Sequence, residues 1–314
     1  MCKRMSQRFF AAGAVLFFLA VSIYAWGTTS PSEGPSQEKL AAEAASLNKD
    51  IPLLEPLHKK KGKPQPGEWL YQFRENGQTF AQYLQVNPIT ARGQRRVLYI
   101  QPLGEFNETE REILKKSAEY MQLYFCLPVK TLPDLPLKTV PEKARRKNPY
   151  TKNLQLLTTY ILDDVLKPKL PKDAAALISL TAVDLYPEES WNFVFGQASL
   201  RSRVAVYSMA RKQEPNDFTK SLRRVIKTAT HETGHMFTIR HCIKWECNMN
   251  GCNSLPESDR NPLWLCPECW AKTIYAVGTD GRARYTALIK WCKENKMNQE
   301  AEFFQKSLDL LNKK

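Results

Sequence analysis

The stretch Thr230-His231-Glu232-Thr233-Gly234-His235-Met236-Phe237-Thr238-Ile239-Arg240-His241-Cys242 decides how this chain is read. Upstream of it and into it, Phe218, Leu222, Val225, Ile226, Ala229, Met236 and Phe237 recur at helical spacing, with Asp217 placed to cap the first turn. The spacing predicts one amphipathic helix over residues 217–238. His231 and His235 fall one turn apart and away from the apolar stripe, so both imidazoles leave the core face together. Two histidines at i and i+4 suit a tetrahedral zinc, and Glu232 beside the first can reach a water held there. That arrangement is the chemistry of metal-assisted peptide hydrolysis, with Glu232 as general base. A third protein ligand is needed, and His241 is the candidate. On an unbroken helix it would lie about 240° around from His235, so the helix must end and turn back between them. Three of the four histidines lie in this stretch; the fourth, His58, is remote from it in sequence.

Just beyond lie Cys242, Cys247, Cys266 and Cys269, four thiols within 28 residues, the last two as a CxxC pair. The spacing suits a closed structural zinc site, so two zinc ions per chain are expected. Export of the chain would favour two disulfides instead, and the residues alone leave both readings open. Cys252 is a spare in the same region. Cys126 and Cys292 read as small buried hydrophobes.

With these residues in view, the chain resembles the archaemetzincins, a branch of the metzincin zinc peptidases. The family pattern is His-Glu-x-x-His-x-x-Gly-x-x-His-Cys, four residues, Cys-x-Met, and a CxxC pair about seventeen residues on. It is matched here by His231 to His235, His241-Cys242, Cys247-Asn248-Met249, Cys266 and Cys269. Asp184 to Pro187 and Ser190 to Ser199 also look like the family, and the likeness runs from about Trp69 to Trp291. The resemblance implies His231, His235 and His241 as ligands of a catalytic zinc, Glu232 as the base, and the four cysteines as a second zinc site. It implies that Met249 lies in a turn beneath the metal. It implies an α/β (α+β), metzincin-like fold: a twisted, mostly parallel sheet with an antiparallel edge strand, backed by helices, and a smaller helical C-terminal subdomain. The edge strand would lie near Phe193 to Leu200, where Phe193, Phe195, Gly196 and Gln197 could receive an extended peptide substrate. One departure stands out. The family's glycine after the second histidine is Thr238 here. A β-branched residue in a left-handed turn costs on the order of 1 kcal/mol or more. A catalytically silent zinc protein that binds peptides or partners is therefore the competing reading.

The rest of the 314 residues frames this site. An apolar run over 9–26 follows Lys3, Arg4 and Arg8, so residues 1–27 read as a signal peptide or membrane anchor and the chain as exported, either tethered or secreted into a periplasmic or extracellular space. Residues 28–67, rich in proline and lysine, read as a linker with a short helix at Glu38 to Leu47. Residues 68–314 read as the metallopeptidase domain, with an upper part to about 240 and a lower helical part from about 241. Within it the pattern predicts strands at 97–100, 175–185, 192–200 and 204–209, and a short strand somewhere in the proline-punctuated stretch 127–138. It predicts helices at 108–125, 153–166, 267–277, 282–295 and 298–312. The net charge of +14 is spread along the chain without an interleaved aromatic and basic patch, so no nucleic-acid partner is expected.

Overall fold

The computed structural model describes residues 34–313. The expected anchor or signal segment, 1–27, lies outside the described residues. Among the described residues no helix is long and apolar enough to cross a membrane.

Helix α1 (Gln37–Leu54) is followed by the short helices α2 (Trp69–Gln72) and α3 (Phe80–Gln85), then strand β1 (Val97–Leu103) and helix α4 (Glu108–Phe125). Strands β2 (Val129–Thr131), β3 (Arg145–Lys147) and β4 (Leu154–Leu157) come next. A helical segment opens at α5 (Thr158–Tyr160) and continues as a π-helical turn to Leu166. Strands β5 (Ala174–Thr181), β6 (Asp184–Tyr186), β7 (Gly196–Ala198) and β8 (Val204–Ser208) lead into α6 (Phe218–Met236). The remainder is helical: α7 (Leu255–Arg260), α8 (Pro267–Val277), α9 (Gly281–Glu294) and α10 (Asn298–Asn312).

The main sheet has the order β2-β1-β5-β8-β7. Its first four strands are parallel and β7 pairs with β8 antiparallel, with Gln197 opposite Val206. This is the expected α/β arrangement, with its antiparallel edge strand in the expected place though only three residues long. The sheet is covered on both faces, as buried parallel strands require. Alternation along β1 and β8 sends Leu98, Ile100, Ala205 and Tyr207 into one core shared with α4 and α6. Tyr99, Leu103, Val204 and Val206 go into a second core with Ile161, Leu162 and Val165. Asn107 begins α4 with a reciprocal capping box to Glu110.

Three expectations are corrected. First, residues 28–67 are not a linker over their described part. Helix α1 runs through Pro52 to Leu54, capped by Ser36, and buries Leu47, Asp50 and Leu54 against α8 and α10. The prolines around and within it, Pro35, Pro52 and Pro56, give the stretch the composition of a tether. The chain then continues along the C-terminal half. Lys61 N–H donates to the Lys244 carbonyl (3.0 Å), Glu246 N–H donates to the Lys59 carbonyl (2.8 Å), and His58 packs edge-on to Phe303 and Trp245. All described residues form one compact unit. Second, residues 153–166 are not one helix: they begin as β4, which builds a second sheet, β3-β4-β6, that the pattern did not predict. Third, the run 175–185 is two strands, β5 and β6, in different sheets.

Candidate active site

Helix α6 carries the first two histidines and ends where the third requires it to. Asp217 caps its start, accepting from Lys220 N–H at 2.8 Å. The helix stops at Met236, and Thr238 turns the chain back with φ of 67°. A threonine is unusual in that conformation, and its hydroxyl is held from two sides. It accepts from Ile89 N–H at 3.1 Å and donates to the Leu200 carbonyl at 3.3 Å. Both partners belong to segments that border the turn, so the strain that the family's glycine avoids is offset by hydrogen bonds a glycine cannot make.

The turn brings His241 over His231 and His235. The three can each offer one ligand nitrogen such that all lie within 4.8 Å of one another, with the Nε2 atoms of His231 and His235 at 3.0 Å. Every Nδ1 is engaged on the far side of its ring. That of His231 donates to the Asn248 carbonyl at 2.7 Å and that of His235 to the Ile239 carbonyl at 2.6 Å. His241 Nδ1 meets Glu75 Oε1 at 2.9 Å. This fixes the tautomer and aims three Nε2 lone pairs at one point, as zinc-ligating histidines require. Burial, then the charge of neighbouring imidazoles, holds His231 well below its usual pKa and His235 down at about 3. Both rings are therefore neutral and able to ligate at neutral pH. These donors fit a zinc ion.

Glu232 lies in the same cleft, 6% exposed, its carboxyl pushed up to about 8 by burial against the opposing pull of Lys212. Gly196 of β7 makes room for it: a Cβ there would fall 2.6 Å from Glu232 Oε1. Beneath the histidines, Met249 is buried and packs on Gly234, where an added Cβ would meet its sulfur at 2.8 Å. The cleft is a cavity of about 890 Å³ bordered by His231, Glu232, His241 and the run from Phe193 to Ala198. Phe193, Phe195, Gly196 and Gln197, singled out from the sequence, thus share this wall.

The four cysteines also converge, all within 4.8 Å of one another and all buried. Cys242 and Cys266 sulfurs are 3.7 Å apart, far beyond the roughly 2.05 Å of a disulfide. Thiolates about 2.3 Å from a zinc ion stand about 3.8 Å apart on a tetrahedron, so these donors fit a closed zinc site. Backbone N–H groups of Met249 and Cys266 point at Cys247 sulfur (3.4 and 3.2 Å), which steadies a thiolate. The two sites touch. His241 precedes Cys242, and Cys242 N–H donates to the Met249 carbonyl at 2.8 Å.

Residues 146–274 match the family model for Peptidase family M54. The archaemetzincin-2 of Homo sapiens is 37% identical over 262 residues, covering 72% of each chain. This chain belongs to the archaemetzincin family. It is accordingly a zinc metallopeptidase by family. The archaemetzincin-2 of Macaca fascicularis is likewise 37% identical over 72% of each chain. A solved archaemetzincin from Archaeoglobus fulgidus, complexed with malonate, is 30% identical with a TM-score of 0.46 over 56% of this chain and 99% of its own.

Several site residues were out of reach of sequence reading. Glu75 lies 166 positions from the histidine it orients, and no local pattern ties the two together. Burial pushes its carboxyl upward, but the His241 hydrogen bond and charge outweigh this and leave it below the usual range. Trp69 packs edge-on to His241 at 5.0 Å, and Phe73 stacks on Trp191 at 5.6 Å, so a segment from the supposed linker boundary walls the cleft. Lys212 and Lys227 also border the cavity; the only hint of Lys227 in the sequence was its position one turn before His231.

Proposed function

We propose that this archaemetzincin hydrolyses peptide bonds in the cleft at His231, His235 and His241, with Glu232 as general base and a second, structural zinc on Cys242, Cys247, Cys266 and Cys269. The observation that carries the reading is the convergence of three imidazoles on one point, each oriented from behind, with the Glu232 carboxyl in the same cleft. When bound there, zinc supplies a Lewis acid that lowers the pKa of a water and polarises a carbonyl oxygen. Glu232 Oε would take a proton from the attacking water as its oxygen adds to the carbonyl carbon, and would pass that proton to the nitrogen as the C–N bond breaks. An extended peptide would add to the free edge of β7, past Phe193, Phe195, Gly196 and Gln197, by main-chain hydrogen bonds. Aromatic Trp69, Phe73 and Trp191 would exclude water at the far wall.

The silent-protein reading rested on Thr238. Its anchored hydroxyl and the closed histidine geometry favour an active site instead. The apolar run over 9–26 supports an exported protein, tethered or secreted; fractionation of the expressed full chain tests that. The mechanism is tested by peptide cleavage with Glu232→Gln. The variant should keep its zinc and lose about 10²- to 10⁴-fold in kcat/KM. Equal turnover by wild type and variant would exclude Glu232 as the base.

A further inference from the structure

One end of the cleft holds two ammonium groups that the mechanism above does not use. Lys212 enters from the turn after β8, where its N–H donates to the Met209 carbonyl at 2.9 Å. The side chain is 1% exposed, passes over the Phe195 ring with Nζ 3.3 Å from the ring centre, and borders the same cavity as His231 and Glu232. Its Nζ has no hydrogen-bond partner. The ring face helps hold a cation but offers no acceptor for the three N–H groups.

Lys227 stands one turn before His231 on α6 and is 6% exposed. Its Nζ donates to the carbonyls of Ser258 (2.8 Å) and Asn261 (2.5 Å). Those bonds fix the ammonium without neutralising it. The other charged groups facing this corner are already committed. Asp259 is bound side-on by Arg224, with contacts of 2.9 and 2.6 Å. Glu232 is the base. The remaining lining, Cys252, Ser258 and Asn261, is uncharged or weakly acidic. A buried ammonium with no acceptor is costly unless a partner arrives. Both lysines are held down at about 8 by burial, the direction expected of cations lacking a counter-ion.

We propose that this corner is a carboxylate-binding subsite, in which the Lys212 ammonium, supported by the charge of Lys227, receives a carboxylate of the bound peptide. The inference rests on the peptidase reading for its occupant. The carboxylate can come from an Asp or Glu side chain near the scissile bond or from a free C-terminus; both present the same planar pair of oxygens. A neutral side chain would leave Nζ unpaired, so discrimination follows from desolvation as well as attraction.

Binding to zinc-loaded Glu232→Gln protein, followed by calorimetry, tests this without needing turnover. Three peptide sets serve as probes: amidated peptides with Gln throughout, the same peptides with Glu moved through each position, and the Gln peptides with a free C-terminal carboxylate. At least one carboxylate form should bind about tenfold to a hundredfold more tightly than the neutral amide. Which form does so identifies the source. Adding Lys212→Met should bring that ratio close to one, with zinc content and melting temperature checking that the fold survives. Equal or undetectable binding of all three sets would overturn the subsite. So would a preference that persists in Lys212→Met, or an equal loss of affinity for all three sets in that variant. Wild-type cleavage of the same peptides is read separately: binding preference without any cleavage would sink the peptidase reading and leave this one standing.

Discussion

Thr238 shows how a departure from a family pattern can be absorbed at a single residue. The left-handed backbone costs about 1–2 kcal/mol, and two hydroxyl hydrogen bonds contribute roughly that much in return. Thr238→Gly should therefore be close to neutral, losing the bonds and the strain together. Thr238→Val loses the same bonds but keeps the strain, so it should be less stable than the Gly variant by about 1–2 kcal/mol. Chemical denaturation of the two variants checks the order; a Val variant as stable as Gly would show that the left-handed turn carries no strain. At the same scale, Glu75 orients His241 without touching the metal position. Glu75→Gln should weaken catalytic zinc binding by about 10- to 100-fold, measured by chelator competition. The histidines and Glu232 were legible because their chemistry demands fixed local spacing. Glu75, Lys212 and Trp69 were not, because each reaches its place through the tertiary fold.

At the scale of elements, strand β7 and helix α6 were legible from pattern and resemblance, whereas α1 was legible only in part: a short helix over 38–47 was expected, but not its extension to Leu54 or its docking. Its sequence mixes Ala and Leu with charged residues and has prolines at 35, 52 and 56, which satisfies a linker as well as a helix. What distinguishes them is the partner surface on α8 and α10. The short strands β3, β4 and β6 were missed because three or four residues carry too little periodicity to register. The arm after α1 supplies a pH prediction. His58 has neither ring nitrogen hydrogen-bonded, and burial lowers its pKa to about 4, with Cys242 pulling the other way. A histidine with a lowered folded-state pKa contributes its full stability above the unfolded value of about 6.5 and loses it as pH falls towards 4. His58→Phe should remove that acid sensitivity, worth up to about 3 kcal/mol, across the same window. Melting temperatures of both proteins between pH 7 and 4 provide the comparison; parallel curves would exclude His58 as the source.

For the whole molecule, the two candidate metal sites are mechanically one. Cys242 follows His241 directly, and the Met249 that floors the histidines accepts a hydrogen bond from Cys242 N–H. Purified protein should hold two zinc ions with the four cysteines unreactive to thiol reagents until the metal is removed. Cys266→Ser should lose more than one zinc's worth of function: structural zinc goes first, and affinity at the histidines falls with it. Retention of full catalytic zinc affinity in that variant would show the sites to be independent. The clustered cysteines left zinc and disulfides open in the sequence, since spacing alone cannot separate them; the 3.7 Å sulfur separation belongs to the metal reading.

Helix α1 also bears on when the chain can finish folding. Its docking surface is made by α8 and α10, which are synthesised more than two hundred residues later. Leu47 and Leu54 therefore have nowhere to bury while the ribosome is still at work, and closing so long a loop is slow. Residues 37–54 should stay open to protease on a nascent chain arrested at residue 260 and become protected once 298–312 have emerged, which makes this element a timer for completion of the protein rather than a nucleus for its start.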